Sequence, residues 1–309
     1  MGLLVVAAAA SFAVALRGVD PGDFAAALGA IHWDRTPWLV AAVLLNHAVR
    51  VVRWHLLLHA APWRRTVPIA LTAFLAMTLL PLRLGEAVRP ALHTADGISL
   101  DRSVAALVSE RLLDLVLLLL LIGWVSTAVA LPDTITVGGV DVVATAQRGA
   151  ALLVIVGGIA VVAFAVLGER LAPRMPVGAG FVRGLGQGFR SLASDPVRAA
   201  WVVALTVGTW ASTILYVAAG LACFPGVPSG VPVAATAWAA IVSGITVLPT
   251  PVFFGAYEAS GTVALRLFGT APSTAAAAVL FLHLAYVVIV AVPGLLAMAH
   301  EGTGTKTLQ

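Results

Sequence analysis

From Ala199 to Tyr257 the chain carries no aspartate, glutamate, lysine or arginine. At a helical rise of 1.5 Å per residue, about 20 apolar residues cross the ~30 Å hydrocarbon core of a bilayer, so this run is more than long enough to span one. Gly149 to Gly168 and Leu267 to Ala299 are similarly free of charge. Across the chain 61% of residues are hydrophobic and 10% charged, with a mean hydropathy of +1.02. A soluble domain carries about 25% charged residues, so a water-soluble globular fold is excluded. A spanning β-barrel needs segments of about ten residues that alternate apolar and polar. Leu115 to Leu121 does not alternate, so the spanning elements are expected to be helices.

A formal net charge of +4 raises the question of nucleic acid. The arginines, however, are spread between apolar runs rather than clustered with exposed aromatics, which reads as membrane orientation and predicts no nucleic-acid partner. Cys223 is the single cysteine, which rules out an intramolecular disulfide and a cysteine-based metal cluster. His47 and His283 stand singly on apolar segments without ligand-spaced partners, so no metal or other cofactor is expected. Neither a nucleophile motif nor a phosphate-cradling glycine loop occurs, and a non-enzymatic role is expected.

Candidate spans are Leu3 to Leu16, Pro37 to Leu58, Ser103 to Leu131, Gly149 to Gly168, Val197 to Cys223 and Thr274 to Ala299. The first ends in small residues but lacks the positive leading region of a signal peptide, so an uncleaved helix is expected. Two further apolar stretches, Val67 to Leu82 and Pro232 to Leu248, conflict with the charges around them. If Val67 to Leu82 crossed, Arg83, Arg89 and Arg102 would lie outside, and the later loop carrying Arg170, Arg174, Arg183 and Arg190 would face the wrong way as well, against the positive-inside rule. Val67 to Leu82, with Pro68 and Pro81 near its ends, is also short for a crossing, at roughly 24 Å of helix.

The expected architecture is therefore an all-α polytopic membrane protein with about six full spans and two re-entrant or broken helical hairpins in an inverted repeat. It is one membrane domain over 1–309: residues 1–131 form a first half with a cytoplasmic-side hairpin at about 67–102, and 149–300 form a second half with an outer-side hairpin at about 232–268. Both termini are then cytoplasmic, in the inner or plasma membrane. Pro81, Gly85, Pro249, Pro251 and Gly255 are the residues expected to shape the hairpins. Substrate sites in proteins built this way lie where broken helices meet, because freed backbone groups are tolerated only when buried or facing a water-filled cavity.

Ionisable residues in or beside apolar segments mark candidate sites, since each charge at the bilayer centre costs at least ~2.5 kcal/mol unless paired or hydrated. Arg50 and Arg53 share one face of the second span and either grip a lipid phosphate or snorkel to the inner interface as orientation signals. Arg83, Glu86 and Arg89 recur every three residues beside Gly85, as a constrained hairpin tip or as an exposed turn. Glu110, Arg111 and Asp114 stand near the start of the third span, in a substrate site or in a structural ion-pair network, with Arg111 and the hairpin arginines as the expected partners of Asp114. Glu258 is the most isolated charge in the sequence: it takes up a proton, meets a cationic headgroup, pairs with a hairpin arginine, or rests at the outer interface near Arg266.

Four blocks carry a resemblance: Arg50-Val-Val-Arg-Trp54, Leu79-Leu-Pro-Leu-Arg-Leu-Gly-Glu-Ala-Val-Arg89, Ser109-Glu-Arg-Leu-Leu-Asp114 and Leu248-Pro-Thr-Pro-Val-Phe-Phe-Gly-Ala-Tyr-Glu258. In this order they resemble the lysylphosphatidylglycerol synthase transmembrane-region family, also called flippase-like. The family's late block usually reads Pro-Gly-Gly where this chain has Pro251-Val252-Phe253. Members that make aminoacylated lipid carry a large soluble catalytic domain after the membrane part, and here the sequence stops soon after Ala299, so the chain is similar to the translocase-type part.

The resemblance implies movement of a lipid with a phosphate-bearing headgroup between leaflets. Arg50, Arg53, Arg83 and Arg89 would attract the phosphate; Glu86, Glu110, Asp114 and Glu258 would tune or pair them, with Arg111 beside them. Charge-assisted hydrogen bonds from arginine suit phosphate oxygens. The partner is then a membrane lipid with an anionic headgroup. An alternative is a non-catalytic anchor for a separate lipid synthase or glycosyltransferase, docked through the basic loop from Glu169 to Arg198; a homo-oligomer is a further arrangement.

Overall fold

The computed structural model describes residues 2–128, 136–137, 140–141, 190, 192 and 194–304. The expected span Gly149 to Gly168 and most of the basic loop before Arg198 lie outside the described residues. The side chains of Pro81 and Arg83 also lie outside them. What is described is helical, apart from a two-residue antiparallel ladder of Thr136–Val137 with Val140–Asp141.

The helices are α1 (Gly2–Ala15), α2 (Pro21–Gly29), α3 (Thr36–Leu58), α4 (Trp63–Leu79), α5 (Val88–Ala95), α6 (Leu100–Ala128), α7 (Pro196–Leu221), α8 (Val231–Val247), α9 (Ala256–Arg266) and α10 (Pro272–Gly304). Among the described residues, three stretches are long and apolar enough to cross a membrane: Trp33–Leu58, Pro196–Leu221 and Pro272–His300. Helix α6 is 29 residues long, but Asp101, Arg102, Glu110, Arg111 and Asp114 crowd its first half, and only from Leu115 onward is it uniformly apolar.

Helix α2 was not among the expected elements. Asp20 caps it by accepting hydrogen bonds from the amides of Gly22 (2.8 Å) and Asp23 (3.0 Å), and Pro21 supplies a first helical position that needs no donor.

The chain divides into two compact units that are not contiguous in sequence. The first comprises Met1–Ala48, Val67–Val88 and Thr209–Gln309; the second comprises Val49–Thr66 and Arg89–Gly208. The core of the first joins Leu39 and Val43 to Val217, Leu221, Ile241, Leu265, Val279 and Leu282, all buried. In the second, Trp54 and Leu58 pack with Ala106.

Both apolar stretches singled out in the sequence are broken helices. Helix α4 ends at Leu79, Leu80 is extended, and a 3₁₀ turn over Pro81–Ala87 follows. Gly85 lies so close to α4 that a Cβ there would stand 2.2 Å from the backbone nitrogen of Met77, so the chain folds back on the helix it has just left. Helix α8 stops at Val247; Leu248 and Pro249 lead to a second 3₁₀ turn over Pro251–Phe253, and α9 returns packed against α8. The two 3₁₀ turns touch each other within the first unit.

Val252 and Phe253 take a backbone path that glycine favours. Their φ angles are +52° and +59°, in the left-handed region. Gly255 follows at φ +83°, and a Cβ on it would meet the carbonyl oxygen of Ala8 in α1 at 2.2 Å.

Candidate functional site

In the second unit, helices α3, α5 and α6 bring together charges that are far apart in sequence. Arg53 is fully buried. Its Nη1 donates to Asp114 Oδ1 at 2.6 Å, and its Nη2 donates to Glu110 Oε1 at 3.0 Å and to Asp114 Oδ2 at 3.2 Å. Arg89, also fully buried, holds both oxygens of Glu110, with Nη1 to Oε2 at 2.8 Å and Nη2 to Oε1 at 3.3 Å. Arg111 Nη2 completes the group, at 2.6 Å from Glu110 Oε1 and 3.3 Å from Asp114 Oδ2. The guanidiniums of Arg53, Arg89 and Arg111 thus share the carboxylates of Glu110 and Asp114.

The helical spacing makes this possible. Glu110 and Asp114 are four residues apart and face the same way, while Arg53 projects from α3 between them. A charge buried so deeply is tolerated because its partners satisfy it, and removing any one partner strands the others. The exposure is graded: the side chains of Arg53, Arg89 and Glu110 are at most 1% exposed, whereas Asp114 is 18% and Arg111 31% exposed. Arg111 and Asp114 therefore form the accessible edge of a buried basic cluster.

Trp54 and His93 complete the site. The guanidinium carbon of Arg89 lies 4.1 Å above the Trp54 ring, and the indole Nε1 donates to His93 Nε2 at 3.0 Å. That donor fixes His93 as the tautomer protonated on Nδ1. Trp54→Phe should lower stability by about 1–2 kcal/mol, by removing the only N–H of the ring and weakening its attraction for Arg89. The check is the thermal midpoint of the purified protein; a change too small to measure would mean that the indole is only a filler.

Of the sequence-predicted site residues, the structure brings together Arg53, Arg89, Glu110, Arg111 and Asp114. Burial corrects the reading of Arg53 as a snorkelling orientation signal. Asp114 meets Arg53 as well as the expected Arg111. Arg50 lies half-buried one turn before Arg53 on α3, and Glu86 is half-buried in the first 3₁₀ turn. Trp54 and His93 were given no role in the sequence reading. Their signal was there, in an indole adjoining one cluster arginine and a histidine four residues after another.

Glu258 belongs to the first unit, and its isolation in the sequence is corrected by the structure. It is 2% exposed, its Oε2 accepts the amide N–H of Gly255 at 2.7 Å, and its Oε1 lies 2.5 Å from His283 Nδ1 on α10. The partner is thus a histidine, placed 25 residues away in the apolar middle of α10. Tyr257 stacks on the His283 ring, with centroids 4.2 Å apart, and Phe254 lies at 5.1 Å. Among the described residues no group of three His, Cys, Asp or Glu side chains could hold a metal ion.

Long apolar helices, broken helices that meet at their turns, and a buried charge network define a polytopic α-helical integral membrane protein. The family model described as the lysylphosphatidylglycerol synthase TM region matches residues 1–294, and the chain belongs to that family. No curated protein matches it.

Proposed function

We propose that this protein moves a lipid with a phosphate-bearing headgroup, such as a phospholipid, an aminoacyl-lipid or a polyprenyl phosphate, between the leaflets of the plasma membrane. In this reading the lipid leaves chemically unchanged. The chain works as two inverted halves with a re-entrant hairpin each, one from the cytoplasmic and one from the outer side, and both termini are cytoplasmic.

The observation that carries the reading is the arginine cluster on Glu110. Guanidiniums held by carboxylates in a dry site can exchange one acceptor for another, and a phosphate offers the same paired oxygens as Asp114. Arg111 and Asp114, at the accessible edge, are where a headgroup would enter. Displacing Asp114 would leave Glu110 to hold Arg53 and Arg89, so the cluster would not be stripped of all its negative charge.

The test is reconstitution of the purified protein in liposomes with fluorescent phospholipids and polyprenyl phosphates, and measurement of the fraction accessible to a membrane-impermeant quencher over time. Protein-dependent exchange between leaflets is expected, with slowing by Arg111→Gln, which leaves Arg53 and Arg89 paired. No exchange with any of these lipids, together with co-purification of a cytoplasmic lipid synthase or glycosyltransferase, would replace this reading with that of a membrane anchor.

A further inference from the structure

The surroundings of the buried Glu258–His283 pair in the first unit say what it can bind. The carboxylate of Glu258 accepts a hydrogen bond on each oxygen, one from Gly255 at the start of α9 and one from His283 Nδ1. The helix start favours negative charge on this carboxylate, and the ring nitrogen Nδ1 of His283 is its second partner.

The remaining titratable position is then the second ring nitrogen of His283. With a proton on it the pair is an imidazolium and a carboxylate, neutral together. Without it the site holds a net negative charge among apolar helices, which is disfavoured. Tyr257 stacks on the ring at 4.2 Å and Phe254 lies at 5.1 Å, so aromatic faces enclose it.

The elements packed around the pair do little to offset its charge. Helices α1 and α8 carry no titratable side chain. Helix α10 contributes His283 and Tyr286 near the pair, and against Tyr286 lie the rings of His47 on α3, at 5.9 Å, and Tyr216 on α7, at 5.6 Å. Helix α9 contributes Tyr257, and its Arg266 is exposed two turns further on. The Pro251–Phe253 turn has no titratable residue, and the Pro81–Ala87 turn that touches it carries Arg83 and Glu86.

We propose that Glu258 and His283 form a binding site for one proton, and that the proton locks the Thr250–Gly255 turn and the start of α9 against α10. Resting on the lipid-moving reading above, lipid movement is then gated by this proton. The proton comes from water, adds to the free ring nitrogen and returns to water; no other bond changes. Its departure weakens the attraction of the ring for the carboxylate and for the aromatic faces, contacts that help to hold the turn to α10.

The full-length protein in lipid nanodiscs, labelled with ¹⁵N-histidine, tests the site by nuclear magnetic resonance, with His283→Gln assigning the signal. His283 is expected to gain a proton as the pH is lowered in the wild type and to remain neutral in Glu258→Gln. Hydrogen exchange of residues 250–258, corrected for the intrinsic rate at each pH, should slow several-fold when the proton is bound. Glu258→Gln and His283→Gln should both abolish that pH response, and either variant suffices if the other does not fold.

A His283 that stays neutral throughout, or an equal pH response in the variants, overturns the site. In liposomes a pH gradient should alter lipid exchange by the wild type and not by Glu258→Gln. Lipid exchange indifferent to the gradient overturns the gating and leaves the lipid-moving reading intact. Absence of any exchange overturns that reading and the gating with it, while the resonance and exchange measurements still decide the proton site.

Discussion

Glu110→Gln should destabilise the protein by about 3–5 kcal/mol, the loss that follows when one partner of a buried ion pair is removed. The substitution keeps the shape of the side chain and takes away its charge. Glu110 serves three arginines at once, through contacts of 3.0 Å to Arg53, 2.8 Å to Arg89 and 2.6 Å to Arg111. Arg53 and Arg89 are fully buried and cannot turn to water. The measurement is unfolding of the detergent-solubilised protein, by thermal midpoint and by retention as a monodisperse species. An unchanged midpoint would mean that the guanidiniums find other acceptors, and that the cluster does not hold α3, α5 and α6 together.

The same geometry sets a smaller effect at Asp114. Its side chain is 18% exposed, and its partners Arg53 and Arg111 both keep Glu110. The loss there is that of charged hydrogen bonds, about 1.5–3 kcal/mol before solvent at the edge takes up part of it. The order of the two effects matters for function. A site that binds and releases phosphate needs one carboxylate that stays and one that yields, and Glu110 is the one enclosed on every side by arginines.

Much of this was legible in the sequence, for a physical reason. Apolar runs and breaks are local properties, so the ends of α4 and α8 at Leu-Pro pairs could be read from their own residues. The membership of the charge cluster was legible too, because a charge in an apolar segment has to be accounted for. What could not be read was the pairing. Arg53 and Asp114 are 61 residues apart, and nothing in a helix period says which of two carboxylates an arginine on another helix will meet. His283 was opaque for the same reason, as a histidine in a long, mostly apolar helix whose partner is fixed only when α9 folds back. Helix α2 was missed differently: its Asp-Pro start is a local signal, but a search for spanning lengths passes over a nine-residue helix.

The turn before Glu258 should answer to two substitutions with opposite signs. Gly255→Ala adds a methyl group to a residue at φ +83°, where side chains are strained by about 1–3 kcal/mol. It also drives that methyl group to 2.2 Å from the carbonyl oxygen of Ala8 and 3.1 Å from the amide nitrogen of Phe12, backbone atoms that can yield only if α1 moves. Overpacking of this kind adds about 1–3 kcal/mol, so a total loss of about 2–6 kcal/mol is expected, together with displacement of Glu258 from His283, because the Gly255 amide is the donor that orients the carboxylate. Val252→Gly, three residues earlier, does the reverse. Val252 is β-branched and sits at φ +52°, a conformation that costs roughly 1–2 kcal/mol in a residue with a Cβ; its side chain is only half-buried, so relief of strain should exceed lost packing and raise the thermal midpoint by the equivalent of about 1 kcal/mol. Phe253 would not repeat the gain, since its ring packs on the core of the first unit. If Val252→Gly lowered the midpoint as Gly255→Ala does, the turn would be held by its side chains, and the left-handed path would be a consequence of packing rather than a strain that the packing overcomes.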